Sequence, residues 1–350
     1  MEGTMKAFVY HGPENMSLDQ VPIPQIQKPT DAIVKVTTST ICGTDKHIRH
    51  GGMPDVEPGR IIGHEFCGIV EEVGSAVTKF KKGDKVAVSC VTQCMSCFYC
   101  RRGIYSQCTT GSWIFGYKID GCQADYCRVP YADSGLHIIP EGLTDDDVLF
   151  VGDILSTGYF GAENGNIQPG DTVAVFGSGP VGMSAMVAAR LWGPARIVAV
   201  DIDESRLEFA KKQGWADYGL NPNKVDVVQA LKDMTDGRGA DVTIEANGFE
   251  PTFKGAINGV RPGGIVSLIG VFETPQEVAM NTLWIKNIEI KMGLVNANRI
   301  PELIDLIKEG KIDMKPLITH TLPLSKVAEG YDIFEERRDN AIKVVLKADA

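Results

Sequence analysis

No stretch of about 18 consecutive apolar residues, the length a membrane-spanning helix needs, occurs in the sequence. The opening residues, Met1 to Tyr10, hold no basic segment followed by an apolar core, which argues against a secretory signal. Low-complexity tracts and repeats with a period of about 20–50 residues are missing too. Positive charge is short: Lys+Arg is 35 against Asp+Glu 45, a formal net charge of −10. An acidic chain attracts a phosphate backbone poorly, so nucleic acid is not an expected partner. What remains is a soluble chain expected in the cytoplasm, with no membrane partner. Its 350 residues, 43% of them hydrophobic, suffice for two domains that each bury a core.

Cysteine is plentiful by contrast. Nine are present: Cys42, Cys67, Cys90, Cys94, Cys97, Cys100, Cys108, Cys122 and Cys127. The odd number and the crowding of five between Cys90 and Cys108 favour a metal site over a disulfide framework. Cys94-x2-Cys97-x2-Cys100-x7-Cys108 offers four thiolates at loop spacing, which suits a tetrahedral structural zinc. Iron–sulfur proteins use other spacings, and buried free thiols are the plainer alternative. The other cysteines, Cys90 among them, read as small buried hydrophobes apart from Cys42.

Turn signals divide the chain by rhythm. Residues 1–150 alternate short β-like runs with Gly and Pro, whereas from Thr172 strands alternate with helices, the pattern of a covered parallel sheet. Between the strand Thr172–Phe176 and a helix from Pro180 lies Gly177-Ser178-Gly179-Pro180-Val181-Gly182, a G-x-G-x-x-G. Gly177 permits the tight turn, Gly179 a close approach to a pyrophosphate, and Gly182 close helix packing. The diphosphate would sit on the helix N-terminus. Asp201 ends the next strand, where its carboxylate suits ribose hydroxyls and repels a 2′-phosphate; this favours NAD(H) over NADP, with Arg206 a partial offset. A packing turn beside a solvated acid is the alternative.

A second metal constellation is dispersed: Cys42 within Ile41-Cys42-Gly43-Thr44-Asp45-Lys46-His47, then Gly63-His64-Glu65, then Gly152-Asp153. Cys, His and one carboxylate make a three-ligand zinc site with an open position, although single residues of these types are common in any core.

Together these motifs resemble the zinc-dependent medium-chain alcohol dehydrogenases over essentially the whole chain. The third ligand, Asp153 in place of a second Cys, resembles the bacterial secondary-alcohol and Asp-containing formaldehyde dehydrogenases, without the latter's long insertion. The resemblance implies an α/β protein: a mostly β, GroES-like catalytic domain over 1–156 and 298–350, and a Rossmann doubly wound parallel-sheet domain over 157–297. It implies two zinc ions per chain, a catalytic one on Cys42, His64 and Asp153 with Glu65 as an alternate ligand, and a structural one on the four-cysteine lobe. Asp45 would orient His64. Zinc would polarise the substrate oxygen, hydride would pass to the nicotinamide, and the proton would leave through Thr44, the nicotinamide ribose and His47. Thr157 would pack on the nicotinamide; Gly270, Val271, Gly293, Leu294 and Val295 would hold its carboxamide, with ordinary strand ends as the alternative.

The expected substrate is a small, secondary alcohol or its ketone. Polyol, hydroxy-ketone of the butanediol type, and formaldehyde dehydrogenases on the same scaffold are the alternatives, with a non-enzymatic dinucleotide sensor behind them. Trp113, Phe115 and Tyr117 are pocket candidates, although alternating aromatics more often pack a strand face. A homo-oligomer is implied, the tetramer favoured over the dimer.

Overall fold

Unbroken apolar runs and alternating ones mark two kinds of sheet in this chain. Every residue of the strand Thr172–Phe176 is buried, as is all of Arg196–Val200 but its first residue, because helices cover both faces. The strand Ile318–Pro323 alternates instead, one face inward and one outward. A computed structural model describes residues 3–349. These fall into two compact units, one reaching to Ser156 and resuming at Asn296, the other Thr157–Val295. The return point lies two residues before the 298 expected from sequence.

The second unit carries six parallel strands in the order Tyr218–Leu220, Arg196–Val200, Thr172–Phe176, Ala240–Glu245, Val260–Leu268, Glu289–Met292. The chain builds outward from Thr172–Phe176 on one side, then crosses and builds outward on the other. The resulting crevice lies beyond the carboxyl ends of Thr172–Phe176 and Ala240–Glu245, where doubly wound sheets bind ligands. Local chemistry starts the helices: Pro180 opens Pro180–Arg190, and the Asp203 carboxylate accepts the Ser205 N–H at 2.9 Å to cap Glu204–Lys212. Phe176, Val198, Leu231, Phe253 and Val266 form the core beneath one face.

In the first unit a seven-stranded sheet centres on Ala32–Thr40 and Phe66–Val73. Gly68 is needed there, since a Cβ would lie 2.3 Å from the Lys35 carbonyl oxygen. The return segment contributes Ile318–Pro323 and Lys343–Lys347, and the latter runs antiparallel to Ala32–Thr40 with Val345 opposite Thr40. That pairing carries Lys343 under the residues around Cys42 and His64.

Candidate active site

Each ligand candidate sits where one element hands over to another. Cys42 precedes the helix Gly43–Arg49, and its backbone N–H donates to Asp45 Oδ2 at 2.9 Å. His64 follows the short strand Arg60–Ile61, and Asp153 lies between the 3-10 turn Leu149–Gly152 and the helix Ile154–Asn164. Tertiary packing brings one ligand atom from each within 4.8 Å of the others. Asp153 Oδ2 lies 3.5 Å from Cys42 Sγ and 3.3 Å from His64 Nε2. The other imidazole nitrogen, Nδ1, faces Asp45 Oδ1 at 3.2 Å, leaving Nε2 toward the cluster.

Burial and neighbouring charges oppose one another inside this cluster. Burial opposes charge on His64, yet Asp45 and Asp153 hold its imidazole well above the usual range. Burial opposes ionisation of Asp153 too, and His64 overcomes it, keeping the carboxyl low. Burial and Asp153 push the Cys42 thiol up. A thiol, an imidazole and a carboxylate brought to one point are a donor set that suits a zinc ion.

Glu65 points elsewhere. Its Oε2 accepts from Lys343 Nζ at 2.7 Å and its Oε1 from the Ile154 N–H at 3.1 Å, so it lies outside the three-ligand group. Lys343 also donates to the Ile41 carbonyl at 3.0 Å. Ile41, Glu65 and Ile154 are the chain neighbours of Cys42, His64 and Asp153, so one fully buried ion pair ties the three ligand segments together. Burial pushes the Glu65 carboxyl up to about 7, while Glu65 and Cys42 hold the buried Lys343 ammonium above its usual range.

In the lobe, Cys94, Cys97, Cys100 and Cys108 also converge within 4.8 Å. The Cys94 N–H points at Cys108 Sγ at 3.3 Å and the Cys100 N–H at Cys97 Sγ at 3.4 Å. Although burial opposes it, backbone N–H groups of Ser96 and Cys97 help bring the Cys94 thiol down to about 5; the Cys100 N–H helps bring Cys97 to about 7. Burial pushes Cys100 up to about 12.

The glycine turn has the shape a diphosphate needs. Gly177 has φ +94°, and a Cβ on Gly182 would lie 1.8 Å from the Gly177 carbonyl oxygen. A Cβ on Gly179 would meet only Arg206 Nη1, at 3.8 Å, so the approach to the helix N-terminus is open. Asp201 accepts from the Ser178 N–H at 2.6 Å and the Asp203 N–H at 2.9 Å, which fixes its carboxylate at the strand end. Gly270 and Val271 follow the strand Val260–Leu268, and Gly293 to Val295 follow Glu289–Met292, all at carboxyl ends of the sheet. Val271 and Leu294 are exposed, Val295 is buried.

Residues 28–141 match the model of the alcohol dehydrogenase GroES-like domain, and 180–309 that of zinc-binding dehydrogenase. An alcohol dehydrogenase of Cupriavidus necator is 40% identical, covering 99% of this chain and 100% of its own. The chain belongs to the zinc-dependent medium-chain alcohol dehydrogenases. Among solved structures, the zinc-dependent alcohol dehydrogenase 2 from Streptococcus pneumonia superposes with TM-score 0.93 at 43% identity, covering 99% of both chains. The 2R,3R-butanediol dehydrogenase of Bacillus subtilis does so with TM-score 0.87 at 25% identity, covering 99% of this chain and 100% of that one. As a member of this family the chain is an oxidoreductase acting on a CH–OH group.

Gln123, Tyr331 and Lys343 belong to this dehydrogenase site without any signal in the sequence, whereas Trp113 and Tyr117 are pocket candidates that the structure places there. Gln123 donates to Asp45 Oδ2 at 3.2 Å and accepts from the Tyr331 hydroxyl at 2.9 Å. Trp113 sets its edge against His64 with ring centres 5.3 Å apart, and Tyr117 stacks on Trp113. Phe115, the other pocket candidate, is fully buried against Phe66 and belongs to the core. Lys343 lies 278 positions from the Glu65 it pairs with.

Proposed function

We propose that the chain is an NAD-dependent alcohol dehydrogenase with one catalytic and one structural zinc, interconverting small secondary alcohols and their ketones. The convergence of Cys42, His64 and Asp153, with Asp45 behind His64, carries this reading. Bound there, zinc would polarise the substrate's oxygen and ease loss of its proton, while NAD would accept the hydride. Thr44, whose hydroxyl lies 4.0 Å from Cys42 Sγ, stands first in line for that proton. His47, three residues on in the same helix, passes it to solvent. Glu65 serves as an alternate ligand only by leaving Lys343.

Asp201 supports NAD over NADP: a carboxylate fixed by two backbone donors cannot turn away from a 2′-phosphate. Thr157, on the helix that begins right after Asp153, is the proposed nicotinamide contact, with Gly270, Val271, Gly293, Leu294 and Val295 toward the carboxamide. A homo-oligomer, for which a tetramer is proposed before a dimer, draws support for association alone from the exposed apolar side chains Met280, Trp284, Ile285 and Met292, on and just before the edge strand Glu289–Met292. No helix among the described residues is long and apolar enough to cross a membrane. Together with the cysteine usage, this supports the cytoplasm as the compartment.

The test is the initial rate of NAD and NADP reduction by metal-replete protein across secondary alcohols, primary alcohols and polyols. A secondary-alcohol rate with NAD supports the reading. The second reading, a vicinal-diol or butanediol-type enzyme, is favoured by the likeness to the Bacillus subtilis enzyme and predicts preference for diols. Silence on every substrate with either cofactor overturns both.

A further inference from the structure

Asp153 presents its two carboxylate oxygens to different neighbours. Oδ2 faces Cys42 Sγ and His64 Nε2, whereas Oδ1 meets the thiol of Cys90 at 3.6 Å. Cys90 is 1% exposed and comes from the turn between the strands Lys85–Val88 and Val91–Thr92. Its backbone N–H donates to the Gly152 carbonyl at 2.9 Å, so the residue grips the ligand segment twice, by main chain and by sulfur. That segment lies close against the strand Lys85–Val88: a Cβ on Gly152 would lie 2.3 Å from the Val88 carbonyl oxygen. The sulfur itself stands outside the group of ligand atoms that converge within 4.8 Å.

We propose that Cys90 is a positioning residue for Asp153, its S–H donating to the oxygen turned away from Cys42 and His64 and so holding Asp153 as a one-oxygen ligand. The inference rests on the reading of Cys42, His64 and Asp153 as the catalytic metal site. A carboxylate free to rotate can bind a divalent ion through both oxygens, which raises the coordination number and crowds the position substrate needs. A thiol is a weak donor, but burial strengthens its hold on a charged acceptor. Partners behind a metal ligand commonly matter this much to the metal.

The test uses full-length protein with cobalt at the dispersed site and zinc kept in the lobe. Cys42→Ser identifies which visible bands belong to the dispersed site. In Cys90→Ala the thiolate-to-cobalt charge-transfer band should keep its intensity. The d–d bands should weaken as coordination rises, and a chelator should remove cobalt on the order of 10-fold faster. Cys90→Val, which fills the volume without a donor, should match Cys90→Ala, and Cys90→Ser, which keeps a donor, should fall nearer the parent. Unchanged melting temperature and lobe zinc show that the variants fold.

Spectra and cobalt release equal to the parent in Cys90→Ala overturn the proposal. So does parent-like behaviour of Cys90→Val, which would assign the effect to packing, and so does loss of about half the charge-transfer band in Cys90→Ala, which would make Cys90 a ligand. A Cys42→Ser spectrum equal to the parent's would instead remove the underlying site reading, whatever Cys90 does.

Discussion

In the lobe, four thiols come from the short stretch Cys94 to Cys108, and N–H groups of that same stretch point at the sulfurs. In the dispersed cluster the three donors come from residues 42, 64 and 153, and their supports, Asp45, Glu65, Gln123, Tyr331 and Lys343, span nearly the whole of the first unit. Cys94 and Cys97 are half-buried, while the dispersed cluster lies beside a fully buried ion pair. A lobe closed by local chain needs only its own ligands. A cluster assembled from distant segments needs every segment's anchor, and those anchors include charges that are costly to bury alone.

Removing a ligand breaks the comparison most sharply. Cys42→Ser is expected to lower turnover by about 10³-fold or more, since a metal at the substrate oxygen contributes several kcal/mol. The lobe zinc should stay, so metal analysis should fall from two ions per chain to one; retained turnover would sink the assignment.

Next comes the brace. Lys343→Met leaves the Glu65 carboxylate buried and unpaired, at an expected cost of about 3–5 kcal/mol in the urea unfolding free energy. Adding Glu65→Gln should recover most of that loss, because neither charge is then stranded. A single variant as stable as the parent would show that the pair braces nothing.

The glycine turn is a local site like the lobe, so its change should stay local. Asp201→Gly with an arginine introduced at Ile202 should shift the NAD-to-NADP preference by roughly 10–100-fold, the worth of charged hydrogen bonds. Metal content should not move. An unchanged cofactor ratio would remove the argument for NAD.

Thiol chemistry gives the smallest effect. In metal-free protein at pH 6, Cys94, brought down to about 5, is mostly thiolate and should be alkylated first. Cys42, pushed up by burial, stays a thiol and should lag. Lowering the pH through 5 should slow Cys94 as it protonates. Mass spectrometry of modified peptides reads both; equal rates at the two cysteines would erase the electrostatic contrast between the two clusters.

How much was legible follows the same division. The strand–turn–helix around Gly177–Gly182, the acid at Asp201 and the four-cysteine spacing are patterns within a few consecutive residues, where one turn or loop fixes the geometry. Cys42, His64 and Asp153 were legible only through likeness to a family, because spacing of 22 and 89 residues says nothing about distance in space. By sequence Cys90 reads as a small buried hydrophobe; it is buried, but its sulfur meets a ligand's carboxylate, which no local pattern announces. Phe115 and Trp113 sit two apart, yet one fills the core and the other touches His64, since the strand Ser112–Trp113 ends before Phe115 and its alternation does not reach it.

The sequence by itself determined the elements whose cause is local: buried parallel strands from unbroken apolar runs, helix starts from Pro180 and Asp203, a phosphate-shaped turn from three glycines, and a thiol lobe from four close cysteines. Only the tertiary structure decided that Lys343, from the returning segment, lies under Glu65 and between the neighbours of all three ligands. Backbone torsions and side-chain periodicity act over a few residues, whereas the register between Lys343–Lys347 and Ala32–Thr40 is chosen by the burial of whole faces at once.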